Sequence, residues 1–322
     1  MLKFLFIKSA HVENEALRFE IAQDMLSLEE TLVKIYRDVS IDICSVTVEG
    51  EWLMHGRRIT PEVKLKSYDR VFIFVHNVDM TIDNVKENVK LFAHKHTYLY
   101  RAEDELFHHA QKLEEVVRIN NTENFKIRFP TQTHVNAKEY NDNAVTTGEI
   151  VAAHMRYLFL PIHTLETSHS KHRNHKNINL SYNAAQFAQN LDDLRHRFDE
   201  VTFREYIDGV QVYVAVIPEY RDEDFYVTLP LVEKTVNGLE MFEVANLGMF
   251  EKEGVKNVAT NMSKIVFQNQ AVVYKLSVHK RRGVFVQSSS SLLTYLLYYP
   301  DFVFETVGSL GLDIEDVMEK VL

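Results

Sequence analysis

Apolar positions recur along this chain at two spacings, and the changes between them lay out its elements. Residues 2–7 are a short apolar run, read as a first strand. Leu17, Ile21, Met25, Leu28, Leu32 and Ile35 then recur every three or four residues, predicting a helix over about 12–37. Residues 41–48 and 71–75 read as strands, with Glu49-Gly50-Glu51 as a turn. Buried central runs in strand, helix, strand, strand order predict a small α/β layer that ends near residue 88.

Residues 83–117 return to helical spacing, expected as two helices, with Leu106, Ala110, Leu113 and Val117 forming one stripe. Residues 118–150 are polar and predict loops and short strands, and 156–162 a strand. The strongly polar run 165–179 is expected as a loop and carries His169, His172 and His175. Residues 182–198 predict a helix that places Ala184, Phe187, Ala188, Leu191, Leu194 and Phe198 on one face. Strands are then expected at 201–217 and 226–232, a helix at about 255–268, strands at 272–278 and 283–287, and a closing helix at 314–321. No repeat of fixed period occurs.

Composition narrows the class. The chain of 322 residues is long enough for two or three packed units, and 46% hydrophobic with 25% charged residues is ordinary for a globular protein. A net charge of −10 and a pI near 5.8 disfavour nucleic acid or an anionic membrane as partner. A lone cysteine, Cys44, excludes an intramolecular disulfide, and its β-rich surroundings make it a small buried hydrophobe. The first apolar run is too short for a signal peptide, and none approaches the ~20 residues of a membrane span. These features predict a cytoplasmic protein without a nucleic-acid or membrane partner.

The most specific motif is Glu205-Tyr206-Ile207-Asp208-Gly209, followed directly by a long apolar strand. It resembles the hinge strand that holds the adenine in ATP-grasp enzymes, and in D-alanine–D-alanine ligases in particular. The resemblance implies an α/β, ATP-grasp-like fold: a pre-grasp unit over 1–88, a central lobe over 89–204 and a C-terminal lobe over 205–322, with a cleft between the last two. It makes Glu205, Tyr206, Ile207 and Gln211 nucleotide-binding candidates, Gln211 standing where a ribose-binding glutamate usually sits. Residues 69–77 are similar to the family's Asp-x-Val-Phe-x-x-x-His-Gly, which makes His76 a substrate-side candidate.

ATP-grasp chemistry needs lysines and backbone N–H groups on the phosphates and acidic residues on magnesium. By the same resemblance, Ser277, Gln287 and Ser289 replace the aspartate, glutamate and asparagine of the metal site. Neutral oxygens are poor ligands for hard magnesium. Leu158-Phe159-Leu160-Pro161 resembles a strand ending in Lys-Pro, with Leu160 in place of the lysine. The following stretch, 162–179, lacks the glycines that aim successive N–H groups at phosphate. No catalytic residue is therefore expected intact and no metal site or cofactor is expected; ATP would bind weakly at most, and magnesium is not expected.

The favoured reading is a pseudoenzyme that binds or scaffolds, as a homodimer or as a hetero-oligomer with an active relative, since the related ligases commonly pair through their N-terminal units. A second reading is an active ATP-dependent carboxylate–amine ligase of the D-Ala-D-Ala type, serving peptidoglycan precursor synthesis, with relocated ligands; Glu233, Glu240 and Glu243 are then the unassigned carboxylates. A third is an unrelated α/β binding protein with a coincidental hinge-like strand. The three histidines at 169, 172 and 175 have a spacing that could present two to zinc, but a solvated loop is the plainer reading. Lys280-Arg281-Arg282 is expected as a hairpin turn, and Tyr295, Tyr298 and Tyr299 as packing aromatics.

Overall fold

The computed structural model describes the chain except for residues 1, 13–14, 76–80, 100–106, 137–138, 140–142, 144, 154–162, 168–178, 197–199, 237–238, 268–269, 309–313 and 322. Strand β1 (Leu2–Ser9), the long helix α1 (Glu15–Ile35) and β2 (Val39–Val46) open the fold. The hairpin β3 (Trp52–Met54) and β4 (Arg57–Arg58), α2 (Pro61–Leu65), β5 (Arg70–Ile73), α3 (Ile82–Phe92) and β6 (His96–Tyr98) follow. Their sheet runs β4-β3-β2-β1-β5-β6, with β1 parallel to both β2 and β5.

Helices on both sides explain why its central strands are continuous apolar runs. Phe4, Phe6, Phe72 and Phe74 pack on Ile21, Met25, Leu28 and Leu32 of α1. Leu5, Ile7, Val71 and Ile73 face the other way, toward Val85 and Val89 of α3 and toward Trp52. Cys44 is fully buried in that second layer, and burial pushes its thiol up to about 12. The helix α3 runs through position 88, and the first sheet continues to Tyr98 instead of ending near 88.

The chain next supplies β7 (Phe107–His109) and α4 (Ala110–Asn120), which join the last unit instead of the middle one. The middle unit is built from β8 (Gln132–Asn136), α5 (Thr147–Ala153), β9 (His163–Thr167), β10 (Asn179–Ser181), α6 (Ala184–Arg195) and β11 (Glu200–Glu205). Its four strands form an antiparallel sheet in the order β10-β9-β11-β8. Leu165 to Thr167, expected within a loop, are strand residues because they pair with β11. The expected strand 156–162, with Leu160, lies outside the described residues, as do His169, His172 and His175.

The last unit contains β12 (Val210–Tyr220), β13 (Glu223–Val227), β14 (Leu231–Val236), β15 (Leu239–Val244), α7 (Met249–Val266), β16 (Val272–His279), β17 (Gly283–Ser291), α8 (Leu292–Tyr298), α9 (Pro300–Gly308) and α10 (Ile314–Val321). Its seven-stranded sheet runs β15-β14-β12-β16-β17-β7, with β13 paired to β12.

Three expectations are corrected here. The single strand 201–217 is two strands in different sheets, broken at Tyr206–Gly209. A Cβ on Gly209 would sit 2.4 Å from the Val278 carbonyl oxygen, so only glycine lets the chain pass that close to β16. The single strand 226–232 is also two, separated at Pro230, which has no N–H to donate to a ladder. Helix α7 starts at Met249 instead of about 255, where the Glu251 carboxylate accepts the Gly248 N–H at 2.8 Å. Met249 and Phe250, both exposed, hide that first turn from a periodicity reading.

One core cluster runs from Phe4 and Phe72 of the first sheet through α1 to Leu292, Tyr295 and Phe302 of α8 and α9, and on to Tyr213, Ala215 and Ile217 of β12. The first and last units therefore share a core. Tyr295 is buried in it with its ring 4.8 Å from Phe302, a packing role as expected.

Candidate functional site

Two sheets meet where β11 hands over to β12, and the sequence-predicted residues divide unevenly around that junction. Glu205, the last residue of β11, is only 3% exposed. Its carboxylate accepts from the Arg282 guanidinium at 2.6 Å and from the Thr131 N–H at 3.3 Å, while its own N–H donates to the Thr131 carbonyl at 2.7 Å. Tyr206 is half-buried and Ile207 buried. Gln211 lies exposed at the start of β12, directly opposite Ser277 in the ladder. His76 lies outside the described residues.

Arg282 comes from the turn between β16 and β17, where the Lys280-Arg281-Arg282 turn was expected. The His279 Nδ1 accepts the backbone N–H groups of Arg281 and Arg282, each at 3.1 Å, and Gly283 takes the left-handed φ of +86° that closes the turn. The Arg282 guanidinium also sits over the Phe285 ring at 4.8 Å. Arg128 donates from its guanidinium to the Arg282 carbonyl, and its own carbonyl accepts from the Val286 N–H at 2.9 Å. The end of the middle sheet is thus fastened to the β16–β17 turn by a buried carboxylate and two arginines.

The strands expected to carry metal ligands are placed as follows. Ser277 is fully buried, and its hydroxyl accepts from the Gln287 side-chain amide at 2.9 Å. The β16–β17 ladder shifts between Lys275 and Leu276: Lys275 pairs with Ser288 and Leu276 with Val286, leaving Gln287 as the bulged residue. That extra residue reverses the facing of the serines that follow. Ser289 pairs with Tyr274 and shares its face, toward α7, away from Ser277 and Gln287. The alignment that grouped Ser289 with them is therefore corrected, and Ser288 and Ser290 take its side of the sheet.

The face that holds Ser277 also holds Lys275, whose ammonium lies 5.5 Å from the Tyr213 ring. The Tyr213 hydroxyl donates to Glu233 at 2.7 Å. Burial first, then the nearby Tyr295 and Glu233, push that hydroxyl far above the usual tyrosine range, so it stays protonated as a donor. Of the unassigned carboxylates, Glu233 is engaged by Tyr213, while Glu243 pairs with Lys234 on the other face of its strand pair. Glu240 stands opposite Thr235 in that ladder.

Magnesium does not fit these residues: β16 and β17 contain no aspartate or glutamate. Among the described residues, no group of three or more His, Cys, Asp or Glu is placed to hold a metal ion. Sequence reasoning missed Arg128, Thr131, Tyr213, Lys275 and the role of Arg282. Only Arg282 left a signal, as part of a basic triplet at a turn.

No protein-family model matches the chain, and no curated protein sequence matches it either. Solved structures do. The VanG D-Ala:D-Ser ligase from Enterococcus faecalis matches with a TM-score of 0.59 at 13% identity, over 99% of this chain and 98% of that one. The D-alanyl-alanine synthetase A from Vibrio cholerae matches at 0.60 and 8% identity, over 98% of each. The D-alanine–D-alanine ligase from Bacillus anthracis complexed with ATP matches at 0.59 and 11% identity, over 100% and 96%. The chain therefore has an α/β ATP-grasp fold in the full-length arrangement of D-alanine–D-alanine ligases, and an unrelated fold with a coincidental hinge strand is set aside.

Proposed function

We propose that this protein keeps the ATP-grasp fold without metal-dependent phosphoryl transfer and acts by binding and association. One observation carries the reading: the two strands beside the hinge, β16 and β17, hold no carboxylate, and Ser277 and Gln287 satisfy one another. A metal clamp contributes several kcal/mol to such a transition state, and each ~1.4 kcal/mol is tenfold in rate. At the hinge, the Glu205 carboxylate is already taken by Arg282 and Thr131. That leaves half-buried Tyr206 and exposed Gln211 as the side chains able to meet a ligand from the hinge side. ATP held there would be weakly bound and indifferent to magnesium. The partner in this reading is a second copy of the chain or an active relative.

The competing reading, an active ligase with relocated carboxylates, leans on Glu233, which is engaged by Tyr213. Calorimetric titration with ATP, with and without magnesium, separates the two. The expected result is weak binding that a chelator leaves unchanged, and no phosphate release on adding D-alanine. Micromolar affinity that collapses with the chelator, or turnover near about 1 s⁻¹, would sink the proposal.

A further inference from the structure

The first and last units share a core, but the middle unit has no part in it. Its buried apolar residues Ile150, Phe187, Leu191, Leu194 and Val201 belong to none of the clusters that the other two units build. Among the described residues, no element of the middle unit packs broadly on an element of either neighbour. Units joined without a large apolar interface are free by default to move against one another. The angle of this unit is therefore set by the chain that enters and leaves it.

Those two passages run side by side. The entering one is held to the last unit as far as Phe129, which packs with Ile127 on that unit's core. It then goes through buried Pro130, whose ring fixes φ. The leaving passage is the break at Tyr206–Gly209 between β11 and β12. Thr131 and Glu205 bridge the two, the Glu205 N–H donating to the Thr131 carbonyl at 2.7 Å. One turn, between β16 and β17, grips both. Arg282 donates to the buried Glu205 carboxylate at 2.6 Å, and Arg128 on the entering passage donates to the Arg282 carbonyl while its own carbonyl accepts from Val286. The His279 ring nitrogen, accepting from the N–H groups of Arg281 and Arg282, stiffens the turn itself.

We propose that the β16–β17 turn is a pin that holds the middle unit at one fixed angle to the seven-stranded sheet, with Arg282 as its clasp. Hinges absorb their motion in a few residues at the ends of elements; here those are Pro130 and Tyr206–Asp208, and Arg282 closes across both passages. A pinned unit presents its surface and that of the last sheet in constant register, as a binding scaffold needs. The pin holds whether or not a ligand enters, so it stands apart from the binding reading above.

Double electron–electron resonance on the full chain tests this. Nitroxide labels go on Asp193→Cys of α6 and Glu253→Cys of α7, both exposed, and the native Cys44 is buried and stays unlabelled. With Arg282 in place, the labels should give one narrow distance distribution that added ATP leaves unchanged. Arg282→Ala in the same background should broaden it by at least about twofold, or add a second distance. Circular dichroism shows whether each variant is folded. Glu205→Gln, which keeps an acceptor for Thr131 but removes the anion from Arg282, gives an independent release of the clasp and should broaden the distribution less. A broad distribution with Arg282 in place, or a shift on adding ATP, overturns the fixed angle. A narrow one that neither folded variant broadens shows that the angle is set elsewhere and overturns the pin.

Discussion

The two faces of the seven-stranded sheet are made from alternate residues of the same strands, yet they differ in kind. Toward α4 and α7, Val212, Val214, Val216, Val272, Leu276 and Val278 form a largely apolar layer, in which the Tyr274 hydroxyl shares a hydrogen bond with Ser263 at 2.9 Å and Ser289 is a further polar residue. The opposite face is apolar where α8 and α9 cover it, through Tyr213, Ala215, Ile217 and Val273. Toward the hinge it turns polar, with Gln211, Lys275, Ser277 and Gln287. Within that stretch the Gln287 amide donates to the Ser277 hydroxyl, and the charge that β16 and β17 supply to it is the Lys275 ammonium, not a carboxylate. A face given over to packing can be read as a core from its residue types alone. A face that kept its polar alternation without carboxylates holds the shape of a site but lacks the anionic oxygens a magnesium centre uses.

Neighbouring residues on β16 offer the largest test of that contrast. Leu276→Ala, on the packed face, should cost about 2–5 kcal/mol in urea unfolding, as a cavity at a fully buried leucine does. A cost below about 1 kcal/mol would mean that the apolar layer is looser than its burial implies.

Removing Arg282 should come next. Its guanidinium is about half exposed while Glu205 is 3% exposed, so Arg282→Ala leaves a buried carboxylate without its cation. Exposure of the arginine tempers the loss, which is expected at about 2 kcal/mol in the same assay. Glu205→Gln, which keeps a neutral acceptor for Thr131 and Arg282, should cost less than Arg282→Ala. The reverse order would show that the junction does not depend on the pair.

Tyrosines on the two faces sharpen the comparison through pH. Burial raises the hydroxyl of Tyr274 on one face and of Tyr213 and Tyr295 on the other. A raised folded-state pKa means that their contribution is fully present below the unfolded value near 10 and is lost as pH rises past it. Stability should therefore fall above pH ~10 by up to about 1.4 kcal/mol per pH unit for each tyrosine. Alkaline unfolding of Tyr213→Phe should show a shallower slope than wild type, and an unchanged slope would show that Tyr213 is not shielded in the fold.

The smallest effect belongs to the polar stretch itself. Ser277→Ala removes one hydrogen bond from Gln287, which keeps partial access to solvent, and should cost about 1 kcal/mol. A loss matching that of Leu276→Ala would mean that the polar face supports the fold no less than the packed one.

Much of this architecture was legible in the chain. The α1 stripe and the apolar runs of β1 and β5 stood where periodicity placed them. The absence of aspartate and glutamate from β16 and β17 was likewise readable, because it concerns residue identity. The site's actual contacts were not. Glu205 was marked for a nucleotide, but its partner Arg282 lies 77 residues away. The strands 201–217 and 226–232 read as continuous because valine and tyrosine suit any strand, whereas Gly209 against Val278 and Pro230 without its N–H end them.

By itself, the sequence determined the buried stripe of α1, the apolar central strands of the first sheet, and that carboxylates are missing from β16 and β17. Those properties follow from side-chain type and from spacing along one element, which are local. Tertiary structure alone decided that β7 joins the last sheet, that the first and last units share a core, and that Gln287 bulges and turns Ser289 away from Ser277. A bulge shifts facing by one residue, and a strand's face has a period of two, so one inserted residue reverses every position after it. No pattern within a run of four serines records that choice; only the partner strand does.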